Sequence, residues 1–292
     1  MKYKKNKIIL GSANFNQNYG INRNFIKIKE IKKLLRTAFK NKIVTIDTSP
    51  LYAKSEKIIG QLNKNRFKII SKIPKKPTNI RGKNIKYWLT KNAKTSLENL
   101  KIRKFECLLL QNASTLLSRD GNEIYKSINS LKNRKLTKKI GISIYDFNIL
   151  DKILKKFKFD LIQVPLNILD RRLLETKWIK KLKKKKIEVH VRSVFLQGIL
   201  FLKHDHLPKK IKKLSSYWIV WENWLKKNQL SPLQACLSFI FNQPNLDGIV
   251  VGCDNVNQLN QILESKKQKN NFILPNLNIR NKKLIDPREW AS

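Results

Sequence analysis

Eight short apolar runs, separated by stretches of helical periodicity, constrain what this 292-residue chain can fold into. The runs are Ile8–Gly11, Ile43–Asp47, Phe67–Ile73, Cys107–Gln111, Lys139–Ser143, Leu161–Val164, Ile187–Arg192 and Gly248–Val251, each with the length of a strand. Between them, Ile28, Ile31, Leu35 and Ala38 share one helical face. So do Ile85, Leu89, Ala93, Leu97 and Leu100, then Phe147, Leu150, Leu154 and Phe157, then Val256, Leu259 and Leu263. Ser231-Pro232 reads as a helix start, with Ser as cap and Pro in the first turn, ahead of the apolar stretch Leu233–Phe241. The longest gap between strands, Ser193 to Asp247, holds two helical segments and a basic loop. Strand then helix, repeated eight times, predicts a parallel α/β fold, and eight units favour a closed (β/α)8 TIM barrel. An open doubly wound sheet would carry G-x-G-x-x-G after its first strand; here Gly11 is followed by Ser12, Ala13, Asn14 and Phe15. No linker is visible, so residues 1–292 read as a single domain.

Composition agrees with a packed domain. Hydrophobic residues make up 41% and aromatics 9%, while nine Gly and nine Pro are too few for a low-complexity chain. No run reaches the roughly 18 apolar residues of a membrane span. Only Ile8-Ile9-Leu10 follows the basic start Met1–Lys7, far too short for a signal-peptide core, so no membrane role is expected. Cys107, Cys236 and Cys253 are odd in number and widely spaced, which suits free thiols in a reducing cytoplasm. The net charge of +43 is the other prominent feature. Lys supplies 51 of the 63 basic residues and Asn numbers 31, a bias that AT-rich codons alone can produce. Lys occurs in nearly every segment instead of on one face, and its densest run, Lys180–Lys186, ends a predicted helix. A solvated surface is the reading, with salt-sensitive attraction to polyanions but no specific nucleic-acid partner.

Chemistry in such barrels sits at the carboxyl ends of the strands. The polar residues there are Asp47, Lys72, Gln111, Ser143, Gln163 with Asn167, and Arg192 with Ser193. Period-two alternation puts Asp47 on the face of Thr45 and Ile43, and Lys72 on the face of Ile70. A lysine inside a barrel must be paired.

These strand ends resemble the aldo/keto reductase superfamily. Ile46-Asp47-Thr48-Ser49-Pro50-Leu51-Tyr52-Ala53-Lys54-Ser55-Glu56 is similar to its aspartate–tyrosine signature, and Ile69-Ile70-Ser71-Lys72 to the segment with its catalytic lysine. The resemblance continues in order through Gly141-Ile142-Ser143, Gln163-Val164-Pro165-Leu166-Asn167, Arg192-Ser193-Val194-Phe195-Leu196-Gln197-Gly198, Val251-Gly252 and Gln258-Leu259. The Arg-Ser-x-Phe-Leu-Gln-Gly stretch is most similar to the branch associated with sugar and surface-polysaccharide metabolism.

The resemblance implies an oxidoreductase in which a nicotinamide cofactor delivers hydride to a carbonyl carbon and Tyr52 gives its proton to the oxygen. A free phenol, with a pKa near ~10, is a sluggish acid at neutral pH, and a neighbouring ammonium favours the phenolate. Lys72 would supply that ammonium, and Asp47 would hold it. At the end of the fourth strand, where the family usually has histidine, this chain has Gln111, which can donate an N–H but cannot ionise. The implied cofactor residues are Gly11, Ser12, Ser143, Gln163, Arg192, Ser193, Leu196, Gly198, Gly252, Asp254 and Gln258. Arg192 stands where many relatives stack an aromatic on nicotinamide; its planar guanidinium can stack too. Asp254 stands where a basic residue commonly holds the adenosine phosphate. It disfavours a 2′-phosphate and suits a free ribose hydroxyl; Lys266 and Lys267 at the helix end could compensate but read as exposed surface. NADP(H) is the expected cofactor, with NAD(H) also compatible.

Other features have plainer readings. His204-Asp205-His206 lacks a third ligand at fixed spacing, and no metal is expected. Trp218, Trp221 and Trp224 repeat at helical spacing and read as packing; His190, on the face of Glu188 and Arg192, reads as part of a buried polar layer. The expectation is a cytoplasmic, monomeric reductase of a small carbonyl compound, a sugar or nucleotide sugar. The rival is a catalytically weak relative that binds nucleotide and acts through partners, favoured by Gln111 and Asp254.

Overall fold

The computed structural model describes residues 7–17, 20, 25–266, 272–275, 277, 279, 285 and 286. Among these, eight parallel strands close into one barrel in sequence order: β1 Ile8–Gly11, β2 Thr45–Asp47, β3 Lys68–Ile73, β4 Phe105–Leu110, β5 Thr137–Ser143, β6 Leu161–Pro165, β7 Glu188–Arg192 and β8 Gly248–Val251. The helices between and after them are α1 Ile28–Lys40, α2 Ser55–Leu62, α3 Lys83–Leu100, α4 Gly121–Asn133, α5 Leu150–Lys156, α6 Arg172–Glu175, α7 Trp178–Lys184, α8 Ser215–Lys227, α9 Pro232–Phe241 and α10 Val256–Ser265. This is the (β/α)8 fold read from the sequence. Every expected strand is present; β4 starts two residues early, and Gln111 lies just beyond its end.

Two cores hold the barrel. Inside it, Ile9, Ile70, Cys107, Leu109 and Leu161 pack with Val250, one set of alternate residues pointing inward. Gly141 makes room for them, because a Cβ there would lie 2.7 Å from Leu109 Cδ2 and 2.2 Å from the Leu161 carbonyl oxygen. Outside, the opposite strand faces pack against the helical stripes. Ile31, Leu34, Leu35 and Ala38 of α1 are buried, as are Ile85, Leu89, Ala93, Leu97 and Leu100 of α3. Ile28, expected on the buried face of α1, is exposed as the first residue of the helix. Ser231 caps α9 in a full capping box with Gln234. Trp218 and Trp221 are buried on the inner face of α8, as their spacing predicts, and Trp221 donates to the Leu200 carbonyl.

At the amino-terminal end of the barrel the scarce acids have defined tasks. Asp160 accepts from the Ile140 amide and pairs with Lys132; Asp247 accepts from the Val189 amide and pairs with Lys183. No described helix is long and apolar enough to cross a membrane. All three cysteines are buried and free.

Candidate functional site

The carboxyl ends of the strands surround a cavity of about 420 Å³. At its base is an ion pair with both partners buried. Lys72 Nζ lies 2.5 Å from Asp47 Oδ1 and donates to the Thr48 carbonyl at 2.9 Å. The other carboxylate oxygen, Asp47 Oδ2, accepts from Gln163 Nε2 at 2.7 Å, across the barrel from β6. Burial works against the Lys72 ammonium, but Asp47 and Tyr52 outweigh it and hold its pKa above the ordinary lysine value. Removing either partner would leave a buried unpaired charge, at a cost of about 3–5 kcal/mol. The Lys72 Nζ lies 5.3 Å from the centre of the Tyr52 ring.

Tyr52 is held there by the loop between β2 and α2. Its amide donates to the Ser49 carbonyl, and its own carbonyl accepts from the Ser55 amide that begins α2. A cluster of buried hydroxyls fastens this loop to β1: Ser55 Oγ donates to Ser12 Oγ at 2.8 Å, and Ser12 Oγ lies 3.1 Å from the Asp47 carbonyl. Ser49 Oγ donates to Gln111 Oε1 at 3.1 Å.

Lys72, Asp47, Tyr52 and Gln111 all line this one cavity, with Gly11, Ser12, Ser143, Arg192, Ser193, Gly198, Gly252, Asp254 and Gln258. Two expected residues do not. Gln163 is fully buried and turned to Asp47, and Leu196 is 1% exposed in the outer core. The bends after β7 account for Leu196: Ser193, Leu196, Gln197 and Gly198 all have positive φ, which turns Leu196 inward and leaves its neighbours on the cavity. Ser12 borders the cavity, but its hydroxyl is engaged in holding the β2 loop. Lys266 is exposed and off the cavity, and Lys267 lies outside the described residues.

The structure adds residues that the sequence reading passed over. Asn14, 6% exposed, donates from Nδ2 to the Cys253 carbonyl at 3.0 Å and to Asp254 Oδ1 at 2.8 Å; its Oδ1 has no partner among the described residues. Tyr145 lies flat under Arg192, the guanidinium carbon 3.8 Å from its ring centre, and both face the cavity. The period-two step from Ser143 to Tyr145 was a usable signal for it. Phe195 and Phe201, in contact at 5.2 Å, form an aromatic wall. Burial pushes the His190 imidazole down to about 4, against the pull of Glu188 and Asp47, so it is neutral inside the barrel. His204 Nδ1 lies 2.9 Å from Glu222 Oε2 of α8, and neither residue lines the cavity.

A closed (β/α)8 barrel whose strand ends converge on a buried lysine–aspartate pair beneath a tyrosine defines the class. The Aldo/keto reductase family model matches residues 7–270, and the chain belongs to that family. Solved structures agree on the fold. An aldo-keto reductase from Bacillus halodurans in its holo form is 16% identical, with a TM-score of 0.73 over 91% of this chain and 88% of that one. An aldo-keto reductase from Klebsiella pneumoniae in complex with NADPH is also 16% identical, with a TM-score of 0.68 over 96% and 94%. A thermostable aldo-keto reductase in complex with the inhibitor epalrestat is 21% identical, with a TM-score of 0.68 and the same coverage. A search of curated proteins finds no match to this chain.

Proposed function

We propose that the chain reduces the carbonyl of a small sugar-like aldehyde or ketone to an alcohol at the cavity above Lys72. The observation that carries this reading is the buried Lys72–Asp47 pair set against the Tyr52 ring, both facing the same cavity as Gln111. The surroundings fit a nicotinamide dinucleotide. Asn14 Oδ1 is a buried acceptor without a partner, Ser143 adds a hydroxyl, and Arg192 presents a planar cation backed by Tyr145. Bound there, the dinucleotide supplies hydride for the carbonyl carbon.

The chain's own groups handle the oxygen. Tyr52 transfers its phenolic proton to it as charge develops, and the Lys72 ammonium stabilises the phenolate left behind. Asp47 keeps Lys72 charged and aimed, and Gln163 keeps Asp47 aimed. The Gln111 amide nitrogen donates to the same oxygen, with its amide oxygen held by Ser49. Phe195 and Phe201 offer apolar faces suited to a sugar ring. The enzyme is proposed to act as a single-domain monomer over residues 1–292, in a reducing cytoplasm that keeps its three thiols free.

The test is purified protein with nicotinamide dinucleotide and a panel of aldoses, ketoses and simple aldehydes, followed by nicotinamide absorbance. Carbonyl-dependent oxidation of the reduced cofactor that is lost in Tyr52→Phe is the expected result. Cofactor binding with no turnover on any carbonyl would favour a nucleotide-binding protein that acts through partners. No binding at all would end the oxidoreductase reading.

A further inference from the structure

Two buried polar atoms without a partner among the described residues belong to neighbours inside the barrel. They are Gln163 Oε1 and His190 Nδ1, in side chains 0% and 6% exposed. β6 and β7 run parallel, and their register sets Gln163 against His190. Paired residues of parallel strands project to the same side of the sheet. Here that side is the interior: Gln163 reaches Asp47 across the barrel, and Arg192, two residues beyond His190, lines the cavity.

The imidazole is built into this place. On its other flank, β8 pairs with β7 so that Gly248 stands against His190, and a Cβ there would lie 2.7 Å from His190 Cδ2 and 2.8 Å from Cγ. Glycine leaves the room that the ring fills. With its Cγ–Cδ2 edge against β8, the ring turns its Nδ1 edge away from β8, to the side on which β6 stands. Its Nε2 lies 3.8 Å from Glu188 Oε2, too far for a hydrogen bond, and Glu188 is engaged by Lys139 at 2.6 Å. A neutral imidazole carries one N–H, and at that distance Glu188 does not claim it. The acceptor that lacks a donor is Gln163 Oε1.

The consequence falls on the ion pair at the base of the cavity. An amide has a donor end and an acceptor end, and Asp47 Oδ2 takes the donor end of Gln163. A hydrogen bond from His190 Nδ1, direct or through one water, holds the acceptor end and so keeps Nε2 on the carboxylate. Turned over, the amide would set its oxygen against the Asp47 carboxylate, which repels it and loses its donor.

We infer that His190 is a positioning residue for proton transfer: as the Nδ1–H tautomer it fixes the Gln163 amide, which fixes Asp47, which holds Lys72 against Tyr52. His190 does not line the cavity, so it acts through these groups. The inference rests on the reading of Tyr52 as the proton donor.

The test has a spectroscopic arm and a kinetic arm. The chain has three histidines, so nitrogen NMR of histidine-labelled protein resolves each ring, and the signal lost in His190→Asn is that of His190. The wild type is expected to show the Nδ1–H tautomer at His190, and Gln163→Leu, which removes the acceptor, is expected to shift the proton toward Nε2. In the kinetic arm, His190→Leu fills the space without a donor. It is expected to lower kcat about fivefold, the scale of one hydrogen bond, with KM and dinucleotide affinity within about twofold of wild type. His190→Asn places an amide N–H close to where Nδ1 stood and is expected to recover most of that loss. In a Gln163→Leu background, His190→Leu is expected to cost nothing further. An Nε2–H tautomer in the wild type, a tautomer indifferent to Gln163→Leu, His190→Asn as slow as His190→Leu, or losses that add in the double variant overturn the inference alone. If no carbonyl is turned over by the wild type, the reductase reading itself fails, and the tautomer and its response to Gln163→Leu still decide whether His190 holds the amide.

Discussion

Ser49 donates a hydrogen bond to the side-chain oxygen of Gln111 at 3.1 Å, and this orients the amide so that its NH2 group is the end left for the cavity. Without that contact the amide can turn over and present an acceptor to the substrate's carbonyl oxygen, which repels it. Ser49→Ala is therefore expected to lower kcat/KM about fivefold, the scale of one neutral hydrogen bond. In a Gln111→Ala background the same change is expected to have no further effect, because the two act as one unit. Full additivity in that double-mutant cycle would separate Ser49 from the amide.

Tyr52→Phe removes the transferable proton and keeps the ring against Lys72. A loss of kcat of roughly 10²-fold or more is expected, the usual scale of general acid catalysis, with cofactor affinity nearly unchanged. Steady-state rates and a cofactor titration on the same preparation decide it, and activity within twofold of wild type would remove Tyr52 from the mechanism.

Gln111 carries no titrating proton. The pH profile of kcat in the wild type is expected to lack a limb near ~6.5, since His190 is already neutral there and buried below the cavity. Gln111→His is expected to introduce that limb. A limb near ~6.5 already present in the wild type would point to another group in the rate-limiting step.

Glu56 offers a stability test away from the chemistry. Its carboxyl is 3% exposed, and burial raises its pKa above 4.5, against the opposing effects of Ser71, Ser96, Asn99 and Lys72. The folded state thus holds this proton more tightly than the unfolded state does. The stabilisation is fully present below the unfolded value and is lost as pH rises through the folded one. Glu56→Gln keeps the shape and removes the titration. Its stability relative to wild type is expected to be greater at neutral pH than in mild acid, and its Tm with it. Thermal melts at the two pH values check it, and a difference that does not change with pH would refute it.

The basic surface predicts its own behaviour. Binding of DNA or RNA is expected to be independent of sequence and to collapse as salt rises from about 50 to 200 mM. Sequence-selective binding that survives the higher salt would contradict the reading of the lysines as a solvated surface.

The strands, the helical faces and the helix start at Ser231-Pro232 were legible in the sequence because each is a local pattern, set by a period of two or 3.6 and by the chemistry of one turn. Asp47 and Lys72 were legible for a related reason: alternation puts them on the inward face, and a charge there must be paired. What the sequence left undecided depends on distances across the barrel. Gln163, expected at the cofactor, is turned to Asp47, 116 positions away in the chain. Leu196, read with its motif as a cofactor residue, is turned into the core by a run of positive φ values that no pattern of residue types announces. Asn14 and Asp254, separated by 240 positions, meet only because the closing of the barrel brings β1 beside β8. Local periodicity decides which residues face inward; closure decides which of them touch.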